Sequence, residues 1–392
     1  MTLTVAVVGL GAAGSATAAQ LAERGVRVIG FDRFTPPHDQ GSSHGRSRII
    51  REAYFEHPLY VPLVQRAYTL WDALEQRSRR TLFRRTGGLM MGPADGTVVA
   101  GALASAREHR LPYELLDAAK VAQRFPAFRI PADQVAVFEP RAGILDPESA
   151  IAEQLKVARA SGAELRLGTP VLAWRALPAG GVEIDTASGT TRADRLVLAT
   201  GAWTGPMMGE LAPQTALPLA LPLALPLALP LVVERNVVHW FEALRPDDAT
   251  LARMPVFIHE SSPGKAWYGF PDQGEGLKLA LHHQGRPTTA DSVSRDVAPE
   301  EVNAVRSLAK RFMPGMAGTH RSSSVCMYTN TPDDHFLIDH HPSSQDVVVA
   351  SPCSGHGFKF APAIGELVAD LVMDRTVRFD LTPFRIDRLL GR

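Results

Sequence analysis

The first thirty residues change from a strand-like hydrophobic period to a helical one and back. Thr4–Val8 is apolar and β-branched, which is typical of a buried strand. The glycine-rich segment Gly9–Gly14 follows, and small or apolar residues then recur at helical spacing as far as Gly25. A second apolar run, Val26–Phe31, ends at Asp32. This order predicts a β–α–β unit with parallel strands.

The glycine spacing predicts a dinucleotide site. Gly9 permits a tight turn, Gly11 lets a pyrophosphate approach the backbone, and Gly14 lets the helix pack close to the strand. The helix N-terminus favours the phosphate charge. Asp32, about 20 residues on, suits a hydrogen bond from an adenosine ribose without a 2′-phosphate. The alternative is a glycine-rich turn in another α/β unit, and the motif does not separate NAD from FAD.

The later patterns predict an α/β fold with a second, α+β domain built on an antiparallel sheet. Helices are predicted at Tyr60–Gln76, Pro147–Ser161, Pro299–Phe312 and Pro362–Met373, and strands at Leu165–Leu172, Val182–Thr186, Arg195–Thr200, Val347–Ala350 and within 254–283. Residues 33–52 are polar and predicted to be irregular. Because nucleotide-type strands occur at the start, middle and end, the Rossmann-like domain is predicted to be discontinuous. It would comprise 1–85, 146–215 and 325–392, and the second domain 86–145 and 234–324.

Composition narrows the class of protein. The chain has 392 residues, 45% of them hydrophobic, which is more than one core usually spans. Its 41 basic residues balance 41 acidic ones, so no nucleic-acid partner is expected. Residues 1–8 lack the basic start and long apolar run of a signal peptide. Two cysteines do not make a disulfide framework, and a cytoplasmic protein is predicted.

The uncharged segment Ala216–Val233 reads ALPLALPLALPLALPLVV. Its length and apolarity fit a membrane span. However, proline falls at every fourth position, and each proline destabilises a helix by about 3 kcal/mol. We therefore expect an extended or polyproline-like insertion between domains and no membrane span. Contact with a membrane or a partner is the alternative.

Gly41–Arg51 holds three arginines and a histidine within eleven positions. A solvated basic loop would explain such a run. Ile49 and Ile50, however, lie between Arg48 and Arg51, so part of the segment is predicted to be buried. A buried arginine needs an anionic partner, and a substrate carboxylate or a cofactor phosphate would serve.

Other candidate residues have ordinary explanations from pattern alone. Lys278 alternates with leucines, which favours a solvated lysine. Cys326 and Cys353 fit inert buried thiols. The turn 354–360 offers backbone N–H groups to an anion, and strand-like alternation there would point Lys359 away from its phenylalanine neighbours. The doublets 282–283 and 340–341 have the wrong spacing for zinc, so no metal is expected.

Five segments, in order, resemble the family of monomeric sarcosine oxidase and N-methyl-L-tryptophan oxidase, which are D-amino-acid-oxidase-like flavoproteins. They are VVGLGAAGSATAAQLAERG, FDRFTPPHDQGSSHGRSRIIREAY, YGFPDQGEGLKL, CMYTNTPDDHFLID and SGHGFKF. The likeness covers nearly the whole chain apart from 216–233. It implies FAD, an oxidase that acts with oxygen on a secondary amino acid, and a monomer.

The resemblance also implies roles for single residues. Cys326 would be bonded through sulfur to the flavin, Arg51 and Lys359 would grip the substrate carboxylate, and Lys278 would activate oxygen. His44, Tyr268 and His282 would line the flavin or substrate pocket. The cofactor-contacting set would be Gly9, Gly11, Gly14, Asp32, Ser42, Arg48, Cys326, Gly355, Gly357 and Lys359.

The chain departs from the family pattern in two places. The family usually reads SHHGDTR where this chain has SHGRSR at 43–48, and Cys353 stands where a bulkier apolar residue is common. These departures leave the substrate open between N-methyl amino acids and a cyclic imino acid such as pipecolate. A dehydrogenase of the same fold that passes electrons to a carrier, and a non-catalytic FAD-binding scaffold, are the other interpretations.

Overall fold

A six-stranded sheet forms the first half of an α/β fold. The computed structural model describes residues 2–209 and 229–390. In spatial order the strands are Leu337–His341, Ser344–Ser351, Arg195–Leu198, Thr4–Val8, Arg27–Phe31 and Glu164–Arg166. All neighbours are parallel except the first pair. The central strands are continuous apolar runs because both faces are covered. Helices cover one face, chiefly Ala12–Glu23, Pro147–Ala160 and Ala361–Val372 with Val61–Ser78 behind them, and residues of a three-stranded sheet, Trp174, Val182 and Ile184, cover the other.

A nine-stranded sheet in the described chain forms the second half. Its strands are Gly88–Pro93, Glu114–Asp117, Gln134–Glu139, Val232–Ala243, Val256–Ser262, Lys265–Phe270, Leu277–His282, Arg286–Thr288 and Ala317–Asn330. Only Gly88–Pro93 and Val256–Ser262 pair in parallel among its described strands. The helices Thr97–Glu108, Ala118–Arg124 and Pro299–Phe312 bury apolar faces in this half.

Shorter elements complete the described chain. Two three-stranded sheets comprise Val171–Ala176, Val182–Thr186 and Gly189–Ala193, and Arg48–Ile50, Gly143–Leu145 and Phe83–Arg85. Thr204–Gly209 is a short α-helix, and 3₁₀ turns occur at Pro58–Tyr60, Gly201–Trp203, Pro246–Ala249, Phe358–Phe360, Thr382–Phe384 and Ile386–Leu389.

The predicted fold class is confirmed, and two local predictions are wrong. Residues 33–52 are not wholly irregular, because Arg48–Ile50 pairs with Gly143–Leu145 as a strand. Lys359 does not face away from Phe360. Both are buried, since residues 358–360 form a 3₁₀ turn rather than an extended strand.

The long strand Ala317–Asn330 crosses the predicted domain border between residues 324 and 325, and the domain boundaries stay a prediction. Of the apolar insertion predicted at 216–233, residues 216–228 lie outside the described residues. Leu229 is buried, and a strand of the nine-stranded sheet begins at Val232. Within 2–209 and 229–390, no helix is long and apolar enough to cross a membrane.

Candidate active site

A cavity of about 670 Å³ lies between the two large sheets. One wall comes from the carboxyl ends of parallel strands, including Gly9, Asp32 and Thr200. The facing wall comes from the nine-stranded sheet, including Tyr268 and Cys326. Ligands of open α/β sheets bind at this edge because the strand ends and helix N-termini meet there.

The glycine turn forms one end of the cavity. Gly9 has a φ of +87°, and a Cβ there would lie 2.4 Å from the carbonyl oxygen of Ala199. Gly14 does not line the cavity; a Cβ on it would lie 1.7 Å from the carbonyl oxygen of Gly9. Both positions therefore require glycine, the second because the helix touches the turn.

Asp32 holds this turn from the next strand. Its Oδ2 accepts the backbone N–H of Leu10 and its Oδ1 that of Phe34, both at 2.8 Å. The carboxylate still lines the cavity, and each oxygen has a further lone pair for a ribose hydroxyl. Gly11, the residue before helix Ala12–Glu23, contributes no side chain to cap the first N–H groups. This end therefore fits an adenosine and its pyrophosphate.

In the middle of the cavity, the loop 42–48 places the Arg48 guanidinium and a backbone carbonyl close to the thiol of Cys326. The Sγ of Cys326 lies 3.4 Å from the carbonyl oxygen of Ser42 and 3.7 Å from Nη2 of Arg48. His44 is buried beside them; its Nδ1 lies 3.4 Å from Oγ of Ser324. Burial, with Arg48 next in effect, lowers the pKa of His44 to about 4, so its imidazole is neutral at pH 7.

Lys278 lies behind this loop and does not itself line the cavity. Its Nζ donates to the carbonyl oxygen of Gly45 at 2.6 Å and to the carbonyl and hydroxyl oxygens of Ser47 at 3.0 Å each. Burial and then Arg48 hold the pKa of Lys278 well below its usual value. The solvated lysine that the alternating pattern favoured is wrong: Lys278 is 2% exposed, because the loop covers that face of the sheet.

Arg51 occupies the far end of the cavity and is paired within the protein. Its Nη2 contacts both carboxylate oxygens of Glu56, and its guanidinium lies 4.3 Å from the ring centres of Tyr54 and Phe55. Burial by itself raises the pKa of Glu56, but Arg51, His356 and Lys359 outweigh burial and hold it at about 2. The anionic partner that the sequence required is thus, in part, Glu56.

Lys359 is the second buried cation at this end. Its Nζ donates to the carbonyl oxygen of His356 at 2.7 Å and lies 3.4 Å from the hydroxyl of Tyr54. Burial, followed by the repulsion of Arg51, lowers the pKa of Lys359 to about 7. The site therefore gains positive charge as the pH falls below neutrality.

Neutral rings form the wall around the two cations. The ring of His282 lies 6.0 Å from that of Tyr268 and 5.8 Å from that of Tyr328. Burial, with His283 next in effect, lowers the pKa of His282 to about 3. At Gly355 a Cβ would lie 2.7 Å from the Tyr328 ring, so only glycine lets the turn approach it so closely.

The structure brings most of the predicted site residues to one cavity. Those that line it are Gly9, Gly11, Asp32, Ser42, His44, Arg48, Arg51, Tyr268, His282, Cys326, Gly355, Gly357 and Lys359. Gly14 and Lys278 support it from behind. Sequence reasoning missed Glu56, Tyr328 and His356, which also line the cavity. The last two lie inside the motifs CMYTNTPDDHFLID and SGHGFKF, where only the neighbouring cysteine, glycines and lysine drew notice.

A family model described as FAD dependent oxidoreductase matches residues 4–371. The chain belongs to this family. Monomeric sarcosine oxidase from Streptomyces avermitilis is 40% identical over 99% of this chain and 98% of its own length. N-methyl-L-tryptophan oxidase from Salmonella heidelberg is 34% identical over 97% and 98%, respectively. The solved structure of NikD, an unusual amino acid oxidase essential for nikkomycin biosynthesis, has a TM-score of 0.81 at 25% identity and covers 98% of both chains. The resemblance seen in the sequence is confirmed.

The described residues fit FAD. The glycine turn and Asp32 suit the adenosine and pyrophosphate. The cavity then continues to Cys326 and Arg48, where a flavin ring would lie, and on to Arg51 and Lys359. Its volume falls in the range of cofactor and ligand sites, roughly 300–1,000 Å³.

Proposed function

We propose that this protein is an FAD-dependent oxidase of a small secondary amino acid, such as sarcosine or another N-methyl amino acid. The carrying observation is the pair of buried cations, Arg51 and Lys359, inside a wall of neutral rings at the end of the cavity opposite the glycine turn. The named sarcosine and N-methyl-L-tryptophan oxidases support the proposal, because they match this chain over nearly its whole length.

The two cations bind and orient the substrate carboxylate. Nη2 of Arg51 is bonded to Glu56 and Nη1 donates to the carbonyl oxygen of Ala53, but the buried Nε has no hydrogen-bond partner among the described residues and can donate to a carboxylate. Glu56 already neutralises part of the guanidinium charge, so Lys359 supplies the remaining positive charge. This charge, with partial desolvation, also lowers the pKa of the substrate amine and favours its neutral, reactive form.

FAD, when bound, supplies the two-electron oxidation of the C–N bond and the return of those electrons to oxygen. The resulting imine takes up water, so one secondary amino acid, one oxygen and one water give an aldehyde, a primary amine and hydrogen peroxide. Negative charge develops on oxygen as it accepts electrons. Lys278, behind the loop 44–48, supplies positive charge that stabilises it.

The visible flavin spectrum under anaerobic conditions tests the proposal. We expect sarcosine or N-methyl-L-tryptophan to bleach the flavin band, and air to restore it with one equivalent of peroxide. Bleaching that air does not reverse, but that an added artificial electron acceptor does, would instead indicate a dehydrogenase. A flavin that neither compound bleaches would contradict the proposal for N-methyl amino acids; pipecolate would then be the next substrate to try.

We further propose that FAD is bonded to Sγ of Cys326, which lines the cavity beside Arg48. Flavin should stay with the protein after acid precipitation of the wild type and be released from Cys326→Ser. Cys353→Ser is the matched control, because Cys353 is the other free thiol that lines the cavity. Release of flavin from the wild type would rule out the bond.

We also propose a monomer in the cytoplasm. The name of the sarcosine oxidase relatives supports the monomer, and the two free cysteines are consistent with a reducing compartment. Gel filtration at several protein concentrations tests the oligomeric state, and a concentration-dependent elution volume would contradict it.

A further inference from the structure

We propose that His356 is a positioning residue: through the hydroxyl of Tyr54 it holds the Lys359 ammonium ready for the substrate carboxylate. The inference rests on the proposed function, because it takes Lys359 as a carboxylate ligand. It concerns how Tyr54 and His356, two residues outside the predicted site, determine the charge and position of Lys359.

The backbone decides which nitrogen of His356 carries the hydrogen. Nε2 lies 3.0 Å from the carbonyl oxygen of Asp334, which can only accept, so Nε2 is the donor. Burial lowers the pKa of His356 to about 4, so the ring is neutral at pH 7 and Nδ1 is an acceptor. The ring stacks on Phe336 with centres 4.9 Å apart and is 5% exposed, so it is held in this orientation.

The tautomer of His356 sets the direction of the Tyr54 hydroxyl. The Tyr54 oxygen lies 2.6 Å from Nδ1, the shorter of its contacts with His356, and must donate its hydrogen there. The lone pairs of that oxygen are then free to accept from Nζ of Lys359, 3.4 Å away. A tyrosine that turned its hydrogen toward Lys359 would repel the ammonium.

Of the two hydrogen bonds that Lys359 makes among the described residues, the one to Tyr54 depends on the His356 ring, and the other goes to the backbone of His356. Nζ also donates to the carbonyl oxygen of His356 at 2.7 Å. An ammonium has three N–H groups, so these two acceptors leave one N–H for a substrate carboxylate. Apart from Tyr54 and His356, the charged groups facing Lys359 are Arg51 and Arg48, which disfavour its charge, and Glu56, which favours it.

Loss of the Tyr54 acceptor should make the ammonium harder to maintain. A hydrogen bond to a charged group is worth roughly one pKa unit or more. We expect Tyr54→Phe and His356→Leu each to lower the pKa of Lys359 by about one unit, which makes carboxylate binding about fivefold weaker at pH 7 and about tenfold weaker at higher pH. The double variant should show no further shift, because both changes remove the same contact.

The experiment measures the dissociation constant of methoxyacetate from the flavin-loaded enzyme across a pH series, by the perturbation of the flavin spectrum. Methoxyacetate has the carboxylate but no amine to oxidise. In the wild type its affinity should fall as the pH rises through about 7, and Lys359→Met should abolish this dependence. His356→Asn, which can keep an acceptor near the Nδ1 position, should retain the wild-type midpoint.

A matched control distinguishes the positioning role of His356 from a general effect of replacing a buried histidine. His259 is also buried but lies on strand Val256–Ser262 of the nine-stranded sheet, against Trp267 and Phe312, so His259→Asn should leave the midpoint unchanged. A wild-type affinity that depends on neither pH nor Lys359 would overturn the proposed carboxylate role. If that dependence is present but Tyr54→Phe and His356→Leu do not move the midpoint, the positioning role of His356 is wrong.

Discussion

The residue type of Arg51 does not reveal which groups surround its guanidinium. It is 2% exposed, lies against two aromatic rings, and has Glu56 as its carboxylate partner. The pair with Glu56 stabilises this buried charge within the protein itself. The proposed role of Arg51 in substrate binding and its effect on stability can therefore be separated by experiment.

Arg51→Ala should raise the KM for the amino acid substrate by about 10²-fold, since it removes a charged hydrogen-bond donor. It should also lower the free energy of unfolding by about 3 kcal/mol or less, because the partly buried Glu56 loses its partner. Adding Glu56→Ala should restore much of the stability but not the KM. Urea unfolding and steady-state kinetics measure the two; a KM restored by the double variant would remove Arg51 from substrate binding.

Lys278→Met should slow reoxidation of the reduced flavin by about 10²-fold, with little effect on reduction by substrate, because it removes a preorganised positive charge. Stopped-flow measurement of the two half-reactions checks this. Lys265→Met is the control, because Lys265 lies on the adjoining strand Lys265–Phe270 and is exposed. Equal slowing of both half-reactions would contradict the oxygen-activating role.

At the scale of elements, contact between a helix and a turn explains the glycine motif better than flexibility does. Helix Ala12–Glu23 begins so close to the turn after Thr4–Val8 that a side chain at Gly14 has no space. The same helix packs against Pro147–Ala160 and Ala361–Val372, which lie far away in sequence. Movement of this helix therefore disturbs both the phosphate end of the cavity and the core.

Gly14→Ala should lower the free energy of unfolding by about 3 kcal/mol through overpacking and reduce flavin content. Gly205→Ala is the matched control: Gly205 also lies in a helix, but among the described residues no atom beyond its chain neighbours and its own helix backbone lies within 4 Å of a Cβ built there. The control should be neutral or more stable by up to about 1 kcal/mol, because alanine favours the helix. Full flavin content and stability in Gly14→Ala would show that the helix can shift at little cost.

At the scale of the whole molecule, a buried carboxyl group of the nine-stranded sheet anchors the chain segment that follows Arg51. Glu139 ends a strand of the nine-stranded sheet and is 1% exposed; its carboxylate accepts the backbone N–H groups of Glu52 and Ala53 at 2.7 and 2.8 Å. It thus holds the segment that follows Arg51. Burial, assisted by repulsion from Glu52, raises the pKa of Glu139 to about 7.

This carboxyl makes global stability depend on pH. Its pKa is higher in the folded than in the unfolded chain, so its contribution is present below about pH 4.5 and is lost as the pH rises through about 7. Between about pH 5 and pH 8 the wild type should lose up to about 3 kcal/mol more than Glu139→Gln. Denaturant unfolding across the pH series measures the difference in free energy of unfolding between the two proteins. The other titrating groups contribute equally to both proteins and cancel in this difference. Glu300→Gln, at an exposed helix start, should instead follow the wild type; parallel curves for Glu139→Gln would contradict this assignment.

The sequence by itself determined the β–α–β start, the ends of helices such as Pro299–Phe312, and the family, because glycine sterics, hydrophobic period and short motifs act over a few residues. Only the tertiary structure decided that Lys278 is buried, that Glu56 pairs with Arg51, and that the Asp334 carbonyl sets the tautomer of His356. Those outcomes depend on which segments cover which, and on the low polarity of the space they enclose. No local spacing encodes either of these.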